Sequence, residues 1–135
     1  LGLVLAEPGR PADVLVRVAA AAINPKDALV RKGKFSWLSG RSFPKRVGLD
    51  FAGTAVWVGS RVQDIAPGDR VFGALEELRS LRGSVAEFVV AQGFEAARAP
   101  AGLSDVELAA LPLAGSTALQ ARPFSCAIFS PSVIQ

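Results

Sequence analysis

Residues 47–73 read VGLDFAGTAVWVGSRVQDIAPGDRVFG and hold strand-forming runs and obligatory turns closer together than any other stretch of the chain. Between Asp50 and Val58 small and bulky side chains alternate. That alternation puts Phe51, Gly53, Ala55 and Trp57 on one face and Ala52, Thr54, Val56 and Val58 on the other. Both faces are apolar, so the strand is expected at the centre of a sheet. Gly53 leaves room for another backbone or a ligand to come close. Gly59 and Ser60 then turn the chain, and a second short β-run passes residues 62–65. Pro67, Gly68 and Asp69 set up a turn in which proline fixes φ and glycine accepts a positive φ. Residues 70–73, RVFG, open the next strand.

Upstream, Val14, Val16 and Val18 alternate with Leu15 and Arg17, which predicts a strand over residues 14–21. Asn24 is a favoured N-cap and Pro25 a favoured first helical residue, so residues 25–32 read as a short helix closed by Gly33 at C′. Residues 36–47 read as an irregular loop. Downstream, residues 74–82 read as a loop holding at most one helical turn. Val85, Glu87 and Val89 alternate with Ala86, Phe88 and Val90, predicting a strand over 83–90, and a short strand is expected over 96–100. Ser104 and Glu107 have the spacing of a capping box, so a helix is expected over 105–110 with Pro112 stopping it. Ser116 or Thr117 then caps another helix, which Pro123 is expected to cut off. No repeat or low-complexity tract interrupts this order. The pattern is mainly β with short helices, a small barrel or sandwich.

The chain has 135 residues, half of them hydrophobic, which suffices for one domain with its own core. It has no histidine and one cysteine, Cys126. Serine–histidine nucleophile pairs, histidine metal ligands, an internal disulfide and a cysteine-built zinc site are therefore excluded. One cysteine fits a reducing, cytoplasmic setting, and no apolar run approaches the ~20 residues needed to span a bilayer. The net charge of +3 is uneven: residues 26–46 carry seven positive side chains and one negative, a local +6 that leaves −3 for the remainder. No aromatic series accompanies those charges, so they read as a solvated loop rather than a nucleic-acid surface.

Four segments in register carry a family resemblance. They are AINPKD at residues 22–27, GLDFAGTAVWVGSRVQDIAPGDRVFG at 48–73, GSVAEFVV at 83–90 and AALPLAGSTALQ at 109–120. Together they are similar to the GroES-like catalytic domain of the medium-chain dehydrogenase/reductases, in the zinc-independent, zeta-crystallin-like quinone oxidoreductase branch. The resemblance covers about residues 14–121. It implies a GroES-like, partly open β-barrel over residues 1–121, lacking the family's first strand or strands, with a non-matching tail at 122–135. The family's Rossmann domain is expected to be absent, since no G-x-G-x-x-G lies between a strand and a helix. The chain also lacks an initial methionine and looks cut at its N-terminus, and its tail has the look of truncation or readthrough.

By the motif register, the positions that bind catalytic zinc in alcohol dehydrogenase relatives fall on Asn24 and Leu49, neither of which replaces cysteine or histidine. The resemblance implies NADPH as cofactor, with Asn24 and Thr117 at its nicotinamide end. It implies a substrate cleft at Asp27, Leu29 and Phe35; family members often have tyrosines at the last two positions. It assigns no metal ligand and no side chain that itself reacts. Each position also has a plainer role: Asn24 as a helix N-cap, Asp27 as a carboxylate at N3, Phe35 as packing under the basic loop. The implied function is the catalytic-domain portion of a zinc-free, NADPH-dependent quinone or enone reductase, inactive alone. A GroES-like binding module and a fragment of a polyketide-synthase-type enoyl reductase are the alternatives. The implied partners are a quinone or enone and a further copy of the chain, associating through Leu111, Leu113 and Leu119 at the domain junction, with neither nucleic acid nor membrane involved.

Overall fold

A computed structural model describes residues 8–34, 46–75 and 82–128, with side chains described as far as residue 121. In chain order the elements are β1 (Asp13–Ala22), α1 (Pro25–Arg31), β2 (Asp50–Val58), β3 (Arg70–Ala74), β4 (Phe88–Gln92), a 3-10 turn (Gly93–Glu95), β5 (Ala96–Arg98), α2 (Asp105–Ala110) and α3 (Pro112–Ile128). The strands form one antiparallel sheet of order β4-β1-β2-β3-β5. β2 is its middle member, as its two apolar faces require.

One face of the sheet curls around a core of Val14, Val16, Phe51, Ala55, Val71, Val89 and Ala91, joined by Leu49, Ile65 and Leu75. Burying a side chain such as Phe51 completely contributes roughly 1.5–3 kcal/mol. On the other face Ala52 packs under Leu108 and Ala109 of α2, with Ala20, Phe72 and Leu103 alongside. Helix α2 starts where the capping box predicts, with Ser104 accepting the Glu107 N–H. β4 and β5 hold opposite edges of the sheet, yet only the turn at 93–95 separates them in sequence. The chain therefore bends from one edge to the other, and Gly93 N–H is pinned to the Ala12 carbonyl at 2.8 Å. The result is a mainly β, antiparallel sheet curled into a partly open barrel, and no parallel βαβ unit occurs among the described residues.

Several local expectations change. The alternation in β2 breaks near its end: Leu15 pairs with Trp57 but Val16 with Ala55, so Val56 is an extra residue. Such a bulge reverses the faces beyond it. Trp57 is accordingly 38% exposed on the outer face, while Val58 packs against the core. Residues 62–65 form no strand, because Val62 and Ile65 reach the core from a turn-rich loop that has no sheet partner. The strand expected over 83–90 begins at Phe88. Residues 84–87 instead bend toward residues 47 and 48, with Val85 N–H on the Val47 carbonyl at 3.2 Å. Pro112 does close α2, but it also opens α3, the place where a missing N–H costs nothing. Thr117 lies inside that helix rather than capping it. Pro123 also lies inside; one lost backbone bond does not end a helix otherwise rich in good helix formers. The helix runs through position 121, where the domain was expected to give way to the tail.

Gly53 justifies its place at the centre. A methyl group there would overlap the backbone carbonyl of Arg17, at the point where the β1–β2 register slips between Val18 and Ala20.

Candidate functional site

Helix α1 is held to the entrance of β2 by a buried carboxylate. Asp27 sits at N3, as read from the sequence, and is only 3% exposed. Its Oδ2 accepts the backbone N–H of Asn24 at 2.8 Å, and its Oδ1 accepts that of Gly48 at 2.7 Å. Gly48 has a φ of 87°, and a methyl there would collide with the Ser84 hydroxyl. Ser84 is fully buried, and among the described residues its Oγ has no hydrogen-bond partner.

A second buried carboxylate shares Asn24 with the first. Asp50, 2% exposed, opens β2. Its Oδ2 accepts from the Asn24 side-chain Nδ2 at 2.7 Å, and its Oδ1 accepts the backbone N–H of Leu113 at 2.8 Å. Leu113 is the second residue of α3, so the charge also lies at the positive end of that helix. One turn further, the Thr117 hydroxyl donates to the Leu113 carbonyl at 2.7 Å and stays exposed. Asn24 and Thr117, far apart in sequence, are thus joined through Asp50 and Leu113.

The surroundings are apolar and open. Ile23, next to Asn24, is 61% exposed, and Leu29 on α1 is 41% exposed. Val85, which borders Gly48, is exposed, as are Leu111 and Leu119. Leu113 is not: its side chain packs against the barrel core. Leu49, at the register of a zinc ligand in relatives, is buried in that core and has no donor atom, and the Asn24 amide is turned to Asp50. Phe35 lies outside the described residues. A separate groove of about 520 Å³ runs beside β5 between Arg61, Val62, Ile65, Phe94 and Arg98, and none of Asn24, Asp27, Leu29 or Thr117 lines it.

Among the described residues the structure therefore links Asn24 to Thr117 only through Asp50 and Leu113, turns both oxygens of Asp27 to backbone amides, and leaves Leu29 at the surface. Asp50 and Ser84 were missed. Asp50 did carry a signal: a lone carboxylate opening a strand with two apolar faces must find hydrogen-bond donors.

Residues 10–101 match the model of the alcohol dehydrogenase GroES-like domain, more than half of the chain. The chloroplast envelope quinone oxidoreductase homolog of Arabidopsis thaliana is 38% identical over 109 residues, 81% of this chain and 32% of that protein. The enoyl reductase component lovC of the lovastatin nonaketide synthase of Aspergillus terreus is 41% identical over 128 residues, 90% of this chain and 33% of that protein. Among solved structures, the quinone oxidoreductase of Coxiella burnetii superimposes with a TM-score of 0.77 at 32% identity, over 87% of this chain and 38% of that one. Escherichia coli quinone oxidoreductase complexed with NADPH gives 0.67 at 31% identity, over 84% and 33%. The chain spans about a third of the length of the curated relatives it matches. A barrel of this topology, matched over these residues, belongs to the alcohol dehydrogenase GroES-like domain family, within the medium-chain dehydrogenase/reductases and alongside their quinone oxidoreductases.

Proposed function

We propose that this domain is the catalytic-domain part of a zinc-independent, NADPH-dependent reductase of quinones or enones. The observation that carries the reading is the hydrogen-bonded path from Asn24 through Asp50 and Leu113 to Thr117. It links two polar side chains near exposed apolar residues: Asn24 keeps a second amide hydrogen to donate, and Thr117, whose O–H is given to Leu113, keeps an oxygen that accepts, which supports reading them as partners of the amide-bearing nicotinamide ring. Asn24 and Thr117 would hold that ring, and NADPH, when bound, supplies a hydride to an electron-poor acceptor. Leu29 would wall the acceptor, with Ile23 beside it. Asp27 would act on the cleft by fixing α1 rather than by touching the acceptor, because both its oxygens already accept backbone amides. Zinc has no place in this reading, since Leu49 offers no ligand atom and Asn24 is a poor one. The single cysteine suits a reducing compartment, and we take the cytoplasm as its setting.

The barrel alone should bind the cofactor weakly. A dinucleotide is held mainly at a helix N-terminus by its pyrophosphate, and the described residues include no Gly-rich βαβ unit. The hydrogen bonds available at the nicotinamide end contribute about 0.5–1.5 kcal/mol each, against an association cost of at least ~4 kcal/mol. Affinity should therefore be millimolar at best.

A second reading, reduction of an enoyl thioester, draws on the likeness to the lovC enoyl reductase, which extends over 90% of this chain. Both readings deliver hydride to a carbon made electron-poor by a conjugated carbonyl.

The test grafts this chain in place of the N-terminal third of the Arabidopsis relative and follows NADPH oxidation with a quinone, an alkenal and an enoyl thioester. Turnover of a quinone or alkenal, lowered by Asn24→Ala and absent for the barrel alone, is the expected result. Turnover of the thioester alone selects the second reading. A folded graft inactive on all three, or an isolated barrel as fast as the graft, would overturn the assignment.

A further inference from the structure

Asn24 sits on the N-cap of α1 and Thr117 in the second turn of α3, and nothing in the sequence relates the two helices. The Asp50 carboxylate anchors both, taking a side-chain N–H from Asn24 with one oxygen and a backbone N–H from Leu113 with the other. The Thr117 hydroxyl bonds to the carbonyl of the same Leu113. A carboxylate accepts on both oxygens and donates on neither, so it orients the Asn24 amide and seats the first turn of α3 at once. At 2% exposure it is almost fully withdrawn from bulk water.

We propose that Asp50 is the positioning residue of the nicotinamide-side site, setting the separation and orientation of Asn24 and Thr117. This rests on the cofactor reading above. Both oxygens of Asp50 are taken, so it acts on Asn24 directly and on Thr117 through the Leu113 backbone. The substitution Asp50→Asn separates this role from simple packing. Asparagine has the same shape but accepts with one end only, so its NH2 end either meets the Leu113 N–H, donor against donor, or meets Asn24 and obliges that amide to turn over, and in both cases Leu113 loses its charged acceptor.

The experiment uses 15N-labelled full chain and reduced nicotinamide mononucleotide, which carries the nicotinamide end without the adenylate half. In the unaltered chain, millimolar nucleotide should shift the Asn24 side-chain amide and the Thr117 backbone amide together. In Asp50→Asn, hydrogen exchange at Leu113 should quicken by about tenfold or more, since bonds to a charged group are worth about 1.5–3 kcal/mol. The core amides of Val16 and Val71 should keep their protection, and the paired nucleotide shifts should vanish. Unchanged nucleotide shifts in Asp50→Asn, or unchanged exchange at Leu113, would overturn the proposal. Absence of nucleotide shifts in the unaltered chain, with Leu113 exchange still quickened by Asp50→Asn, would instead remove the cofactor reading, and the positioning role with it. Should Asp50→Asn fail to fold, Asn24→Ala asks the same question from the surface: Leu113 exchange should quicken there too, and an unchanged rate would make the two contacts independent and overturn the proposal.

Discussion

The guanidinium of Arg82 meets the carboxylate of Glu95 as a two-pronged fork, Nη1 to Oε2 and Nη2 to Oε1, each at 2.7 Å. The Glu95 side chain is 1% exposed, and its Oε2 also accepts the Gln92 N–H at 2.7 Å. Arg82 Nη1 reaches the Val90 carbonyl as well. The pair thus clasps the corner where the chain passes from one sheet edge to the other. Removing one partner of a buried ion pair strands the other, which costs about 3–5 kcal/mol. Arg82→Ala, which takes this counter-charge away from the buried Glu95 carboxylate, should lower the unfolding free energy by that amount in urea titrations. Replacing both partners with apolar side chains of similar size should cost less than the single change; the opposite order would refute the clasp.

Two glycines should respond in opposite directions to alanine. Gly53→Ala forces a methyl onto the Arg17 carbonyl, a backbone atom that cannot step aside, and should destabilise by about 1–3 kcal/mol or more. Gly115, inside α3, has nothing within 4 Å of the added carbon. Gly115→Ala should stabilise by up to about 1 kcal/mol through helix propensity. Thermal melts of the two variants decide it, and a neutral Gly53→Ala would show that β1 and β2 separate more easily than their contact implies.

The start of α2 supplies a pH test. Ser104 donates to Glu107 Oε2 from its hydroxyl at 2.7 Å and from its backbone at 2.8 Å. These bonds, the hydroxyl's first, hold the Glu107 carboxyl below the usual carboxylate range. Because the charged form is favoured in the folded helix, the contribution is present above the unfolded pKa and is lost as pH falls through the folded one. In a carbon-detected NMR titration Glu107 should have a midpoint below that of free glutamate, and Ser104→Ala should move it upward. An unmoved midpoint would mean that the capping box does not hold the charge.

Ile23, Leu29, Leu111 and Leu119 are each exposed, and self-association through an apolar patch built from them is the expected behaviour of this chain by itself, since apolar surface gains by leaving water. Light scattering should show a mass that rises with concentration, and Leu119→Glu, at a residue 68% exposed, should reduce that rise without lowering the melting temperature. A monomer at every concentration would count against the patch.

Local chemistry made much of the barrel readable in advance. β2 had to be central because both its faces are apolar, α1 had to begin after Asn24-Pro25, and α2 had to begin at the Ser104–Glu107 box; each follows from neighbours a few residues apart. The same rules misplaced Trp57 and Val58, because a bulge is an agreement between two strands and only the pairing with β1 reveals it. They began β4 too early, since residues 84–87 are drawn to Val47 and Gly48 by contacts that alternation does not encode. Asn24 and Thr117 were named from their motifs, but their connection was not. It depends on Asp50, whose partners lie 26 and 63 residues away. The sequence by itself determined which side chains want a helix end, a sheet centre or a turn. Tertiary structure decided which buried carboxylate each free N–H would meet, because a desolvated charge takes its donors from whatever the fold brings within hydrogen-bond reach.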